Sequence, residues 1–243
     1  MFYFRINRLK IIDNREERKV LRVFGPDLAE VQIHSFVSTD DTQLPEMDEL
    51  LYTNDPARRR TLIAAAVEHV VSSRVLTTIE NVTDNHEMTF GDTGYVLHQS
   101  KRIPDQLDWI LLAIESDRDV REIAQHMTSI LDDDAFDSFI AQILSLAAAA
   151  TNPSYVAAVG IGKFVAKTYA EKRGKKHDEM IGLMYTSLNR REHYPHGERK
   201  KNGVADLTNN MFINYSRFGC DPQIQPIPVT LLPPDIQLCR RGA

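Results

Sequence analysis

The chain has little cysteine, few aromatic residues, no surplus of positive charge and none of the common nucleotide or nucleophile signatures. Its two cysteines, Cys220 and Cys239, both lie in the final segment. A disulfide between them can only tie that segment to itself, so a reducing compartment is the simpler expectation. The formal net charge of −5 gives no general attraction to nucleic acid or to an anionic membrane. There is no phosphate-cradling GxxxxGK[ST] loop and no GxSxG elbow, and Gly160-Ile161-Gly162 follows a helical pattern where a dinucleotide-binding turn would follow a strand. Neither cysteine has a histidine partner placed to activate it. The start, MFYFRINRLKIID, lacks the continuous apolar run and small-residue cleavage site of a secretory signal, and the expectation is a cytoplasmic protein. No heptad array or internal repeat is present.

What remains is an ordinary globular composition, 42% hydrophobic and 26% charged over 243 residues, enough to bury a core without a metal or disulfide. Phe2, Phe4 and Ile6 alternate with Tyr3, Arg5 and Asn7, the period-two signature of a half-buried strand. KVLRVF and EVQIHSFV continue an antiparallel meander, with Val31, Ile33 and Val37 inward. STDDTQLPEMDELLYTND is acidic and aperiodic, and is expected to be a long surface loop. RVLTTIENV, GYVLHQS and DWILLAIE predict strands, the last apolar on both faces and therefore central. MIGLMYTSLNR predicts another central strand, and Met211, Ile213 and Tyr215 form the apolar row of a closing one.

Helical spacing occupies the middle. Asp55-Pro56 starts a helix whose inward stripe is Leu62, Ile63, Ala66, Val67 and Val70. Asp119 with Glu122 makes a capping box for a helix through Leu131, and Phe136, Phe139, Ile140, Ile143, Leu144 and Ala147 make the stripe of the next. The third has Asn152 as its cap, Pro153 as its first residue and Lys172-Arg173-Gly174 as its stop. Its small residues could suit a membrane or a partner helix, but Lys163 and Lys167 favour packing on a sheet with the ammonium groups in water. The reading is an α+β fold: an antiparallel, sandwich-like sheet from N- and C-terminal strands with a helical layer inserted at about 119–176. Residues 1–219 form one domain, since the first and last strands are expected to meet. Residues 220–243, rich in proline, form a strap or tail.

Two places gather chemistry. In REHYPHGERKKNG, Arg190, Arg191, Tyr194, Arg199 and Lys200 suit an anionic ligand, a phosphate or nucleic acid included. His193 and His196, three apart, are candidate metal ligands, with His177 a possible third and Glu198 a carboxylate nearby. The same composition also suits a plain solvated loop. Asp117 and Asp119 after DWILLAIE, with Asp13 after the first strand, are candidate ligands for a hard cation, although Asp119 equally serves as a helix cap.

The segments FYFRINRLKIIDN, WILLAIESDRD, GLMYTSLNR and NNMFINYSRFG together resemble the calcium- and phospholipid-binding β-sandwich of synaptotagmins and protein kinases C, with helices inserted. The resemblance covers about half the chain. It implies a sandwich fold, and carries calcium binding only to Asp13, Asp117 and Asp119, because that family's full set of aspartates is missing. With no catalytic motif and long polar loops, the expected function is a non-enzymatic binding or adaptor protein recognising another protein or a ligand through surface loops, with no required cofactor. The alternatives are a metal-dependent hydrolase or phosphate-acting enzyme centred on 190–203, and calcium-dependent membrane association.

Overall fold

A computed structural model describes residues 1–14, 28–71, 75–115, 134–173, 180–193 and 197–220. In chain order the described elements are β1 (Phe2–Ile11), β2 (Ala29–Thr39), α1 (Met47–Tyr52), α2 (Pro56–Val71), β3 (Val75–Val82), β4 (Glu87–Thr89), β5 (Tyr95–Ser100), β6 (Gln106–Glu115), α3 (Asp134–Ala148), α4 (Pro153–Arg173), β7 (Met180–Asn189), α5 (Arg190–His193), β8 (Gly197–Ala205) and β9 (Met211–Gly219). The fold is α+β with two antiparallel sheets. One runs β4-β1-β9-β8, with β5 sharing the β4 side of β1; the other runs β3-β2-β6-β7.

The expected single sheet is thus two sheets. The first and last strands do pair, Phe2 opposite Gly219 through Ile11 opposite Met211. Their partners, however, include the short hairpin strands of the middle region, while β2, β3, β6 and β7 separate into their own ladder.

Period two explains which side chains meet. Phe2, Phe4, Ile6, Leu9 and Ile11 of β1 and Met211, Ile213 and Tyr215 of β9 join Val31, Ile33, Leu107, Trp109, Leu111 and Ala113 of the other sheet in one buried cluster. Trp109, fully buried, stands edge-on to Phe4 at 5.0 Å and to Tyr215 at 5.5 Å between ring centres, and its Nε1–H donates to Ser35 Oγ at 2.9 Å. The opposite face of β6 contributes Leu112 and Ile114 to a second cluster with Leu62, Ile63 and Ala66 of α2, Ile140 and Ala147 of α3, and Ala157, Ala158 and Ile161 of α4. An unbroken apolar run is what a strand with an apolar layer on both faces requires, as expected of DWILLAIE. MIGLMYTSLN forms β7, which is an edge of its sheet and not central. Its apolar residues are explained by the same two clusters, one on each face.

The helix ends follow their sequence signals. Asn152 caps α4, its Oδ1 accepting from the Tyr155 amide at 3.0 Å, and its side-chain amide donates to the Asp40 carbonyl at the end of β2. Asp55 Oδ1 accepts from the Ala57 amide at 2.9 Å at the start of α2. Gly160 lets α4 approach α3, since a Cβ there would lie 2.5 Å from Ile143 Cδ1. Lys163 is exposed with its ammonium 4.5 Å from the Tyr185 ring centre; the side chains of Val67, Val70, Phe136 and Lys167 lie outside the described set. Among the described residues no helix is long and apolar enough to cross a membrane.

The expected loop after β2 holds α1 instead. Leu44, Met47 and Leu50, three apart, are buried against α2, and this spacing sets one apolar stripe inside an otherwise acidic segment. Cys220 is disulfide-bonded, against the expectation of reduced cysteines. KVLRVF, the helix expected from Asp119 and the segment from Asp221 onward also lie outside the described residues.

Candidate functional site

The described residues of 190–203, expected to be a loop, form a single helical turn and a strand. At the end of β7, Asn189 organises the turn: its Oδ1 accepts from the Glu192 amide at 2.9 Å, its Nδ2 donates to Glu192 Oε2 at 2.9 Å, and its backbone amide donates to His193 Nδ1 at 3.0 Å. This is a reciprocal capping arrangement closing α5. The Arg190 amide donates to the Asp105 carbonyl at 3.0 Å, and its guanidinium lies 3.6 Å from the Asp105 carboxylate. From β9, the buried Arg217 donates through Nε to the His193 carbonyl.

Beyond the turn, Gly197 to Ala205 is β8, hydrogen-bonded to β9 from Gly197 opposite Gly219 to Lys201 opposite Tyr215. The register then shifts before Val204, where Gly203 adopts φ +63° and its amide donates to Asn214 Oδ1 at 2.7 Å. Every side chain from Glu198 to Asn202 is exposed. A strand with neither flank buried shows no alternation, which is why it reads as a loop.

The far end of β8 is held by Asp206. This buried carboxylate accepts from five donors: the Asn210 and Met211 amides at 2.9 Å through Oδ1, and through Oδ2 the Thr208 amide at 3.1 Å, the Thr208 hydroxyl at 2.6 Å and the Leu183 amide at 2.9 Å on β7. Gly182 makes room for it, since a Cβ there would lie 3.1 Å from Asp206 Oδ2 and 2.9 Å from Met211 Cβ. Asp206 thus pins the C-terminal end of β8, and Arg217 pins the His193 turn that precedes the strand in the chain.

Charge is concentrated here. Positions 190 to 203 carry five cations, Arg190, Arg191, Arg199, Lys200 and Lys201, against Glu192 and Glu198, a surplus of three on a chain of net charge −5. Lys200 lies 3.5 Å from Glu198, and Arg199 Nη1 donates to the Glu198 carbonyl at 3.0 Å. Arg191 and Lys201 have no acidic partner among the described residues. The candidate ligand residues Arg190, Arg191, Arg199 and Lys200 are all exposed, the first two on α5 and the others on β8, whereas Tyr194 lies outside the described residues.

His196, Asp117, Asp119 and His177 lie outside the described residues, and among the described ones no group of three His, Cys, Asp or Glu side chains can share an ion. Asp13 is exposed; its backbone amide and carbonyl exchange bonds with the Asn210 side chain at 2.9 and 2.8 Å. His193 accepts a hydrogen bond at Nδ1, so in the neutral ring the proton sits on Nε2. That nitrogen offers a ligand a hydrogen-bond donor, not a lone pair.

A polar cluster that sequence reasoning passed over lies between β6 and α4. Asp108, buried, accepts from the Tyr155 hydroxyl through Oδ2 and from the Tyr185 hydroxyl through Oδ1. Its signal is a carboxylate inside the otherwise apolar DWILLAIE. Burial, and then the adjoining Asp108 carboxylate, raise the pKa of both tyrosines; Lys163 partly opposes this at Tyr185. Two tyrosines kept protonated, with their protons committed to a carboxylate, are poorly suited to act as base or nucleophile. They serve instead to tie α4 to the sheet.

Protein-family models and curated proteins give no match to the chain.

Proposed function

We propose that this chain is a non-enzymatic binding or adaptor protein that recognises an acidic segment of another protein through its basic end, formed by α5 and β8. One observation carries the reading: a surplus of three positive charges over positions 190–203, with Arg199, Lys200 and Lys201 together on the exposed stretch of β8, on a chain that is otherwise acidic. A local positive field on an acidic protein attracts a short anionic segment and repels a long polyanion that would run on over the acidic surface. Arg199 to Lys201 at about 3.3 Å per residue gives a cationic track of roughly 10 Å, far shorter than the span over which a nucleic acid places its regularly repeated phosphates. Asp108 with its two committed tyrosines agrees with a role outside catalysis. The reading includes the finer arrangement in which the two sheets are the halves of one β-sandwich, supported by the packing of Trp109 against Phe4 and Tyr215.

The test is binding of a glutamate-rich peptide, followed by fluorescence anisotropy at low and high salt. Affinity should fall as salt rises and vanish in the variant Arg199→Glu, Lys200→Glu, Lys201→Glu. Because these side chains are exposed, that variant should fold normally. Retained binding by the folded variant would overturn the reading. Stronger binding of a single-stranded oligonucleotide than of the peptide would replace the protein partner with nucleic acid.

A further inference from the structure

This inference rests on the reading above and adds how the partner is held. β8 pairs with β9 alone, at the end of its sheet, so its other side has no neighbouring strand among the described residues. In a strand, alternate residues turn their N–H and C=O groups to opposite sides, and along β8 every second residue therefore offers these groups outward. The regular register of Gly197 to Lys201 shows that the backbone is straight there, and the pins at His193 and Asp206 hold it so without a partner.

The other sheet edges differ in character. β3 carries Glu80, β4 carries Glu87, β5 carries no lysine, arginine or carboxylate, and β7 is apolar and flanked by buried clusters. β8 is the cationic edge among the described strands, with Arg199 and Lys201 on one face and Lys200 on the other. Pairing with β8 of a second copy would set cation against cation across the ladder and is disfavoured. An incoming strand with carboxylates at successive positions meets a cation on each face. The charges that protect the edge from its own copies therefore also select the partner.

We propose that β8 is a docking edge on which an acidic, extended segment of another protein adds as the sixth strand of the five-stranded sheet, antiparallel or parallel to β8. Backbone hydrogen bonds supply the adhesion, and Arg199, Lys200 and Lys201 supply the selection. The Asn202-Gly203 bulge limits the added strand to the stretch facing Gly197 to Lys201.

The experiment uses the full chain and three synthetic peptides with three successive glutamates flanked by threonines, so that the glutamates face Arg199, Lys200 and Lys201: one unmodified, one N-methylated on its odd residues, one on its even residues. N-methylation removes the amide donor and leaves the charge. Strand addition predicts that one methylated peptide binds roughly tenfold or more weakly while the other keeps the affinity of the parent, and that the β8 amides gain hydrogen-exchange protection. Equal binding of all three overturns strand addition and leaves recognition by charge standing. No binding of the unmodified peptide to folded protein overturns both.

Discussion

Replacing Asp206 with alanine tests whether the β8–β9 connection is organised by one carboxylate. The change removes the acceptor for five donors, of which the Asn210 and Met211 amides make buried bonds and the Leu183 amide and the two Thr208 groups make partly buried ones. A buried donor left without a partner costs about 1–3 kcal/mol. The two buried amides then account for about 2–6 kcal/mol, and the partly buried three, which can turn to water, add about 1 kcal/mol more. A loss of about 3–7 kcal/mol is a large share of the roughly 5–15 kcal/mol that holds a domain of this kind folded. Urea unfolding followed by the fluorescence of Trp109, the one tryptophan and a fully buried one, reads the change directly. The midpoint should fall with little change in slope. Asp206→Asn keeps one acceptor oxygen and should recover part of the loss. Gly182→Ala, whose methyl would press on the same carboxylate, should be less than additive with Asp206→Ala in a double-mutant cycle. A loss below about 1 kcal/mol in Asp206→Ala would show that water replaces the carboxylate, and would refute the idea of a pin.

Three further outcomes follow from the packing. His34 is buried on β2, its Nε2 lacks a partner among the described residues, and desolvation lowers its pKa from 6.5 to about 4. The unfolded chain therefore binds a proton that the folded chain refuses between those values, so stability is complete above pH 6.5 and falls toward pH 4 by about 3 kcal/mol. His34→Leu should flatten that part of the pH–stability curve, and an unchanged curve would exclude the mechanism. Gly160→Ala places a Cβ 2.5 Å from Ile143 Cδ1 and should cost about 1–3 kcal/mol by overpacking, relieved by Ile143→Val. Tyr155→Phe and Tyr185→Phe each remove one donor from buried Asp108 and should cost about 1.5–3 kcal/mol apiece, with the double variant worse than the sum because the carboxylate is then left bare. Thermal melts decide both.

How much of this was legible depends on whether burial acts on a segment from one side, from two, or from none. β1 and β9 bury one face, and their period-two rows, Phe2-Phe4-Ile6 and Met211-Ile213-Tyr215, name the core residues outright. β6 buries both faces, so its continuous apolar run marks a strand flanked by two layers, though not which strands flank it. β7 has the same appearance for the same reason and is nevertheless an edge, because apolar content reports the layers above and below a strand and not its neighbours within the sheet. The division into two sheets is a matter of pairing between distant segments, and no local pattern encodes it. Asn152 and Asp55 were readable as caps because a cap is satisfied within three residues. Asp206 was not, because one of its donors, Leu183, lies 23 residues away.

β8 is the case of burial from neither side, and it is also the candidate site. Its composition was readable as chemistry, three consecutive cations in a nine-residue strand, while its conformation was not, since exposed residues on both flanks erase the alternation that marks a strand. The strand exists because β9 supplies hydrogen-bond partners and because Asp206 fixes its end and Arg217 the turn before it, three contributions made by other parts of the chain. An edge that was only structural would more cheaply be covered or shortened. Keeping Glu198 to Asn202 extended and exposed with three cations among them, while a buried aspartate holds the end of the strand and a buried arginine the turn before it, preserves a surface whose shape is set before anything binds. Preorganisation of this kind lowers the ordering entropy lost on association, so loosening either pin should weaken peptide binding even where every cation of β8 is left in place.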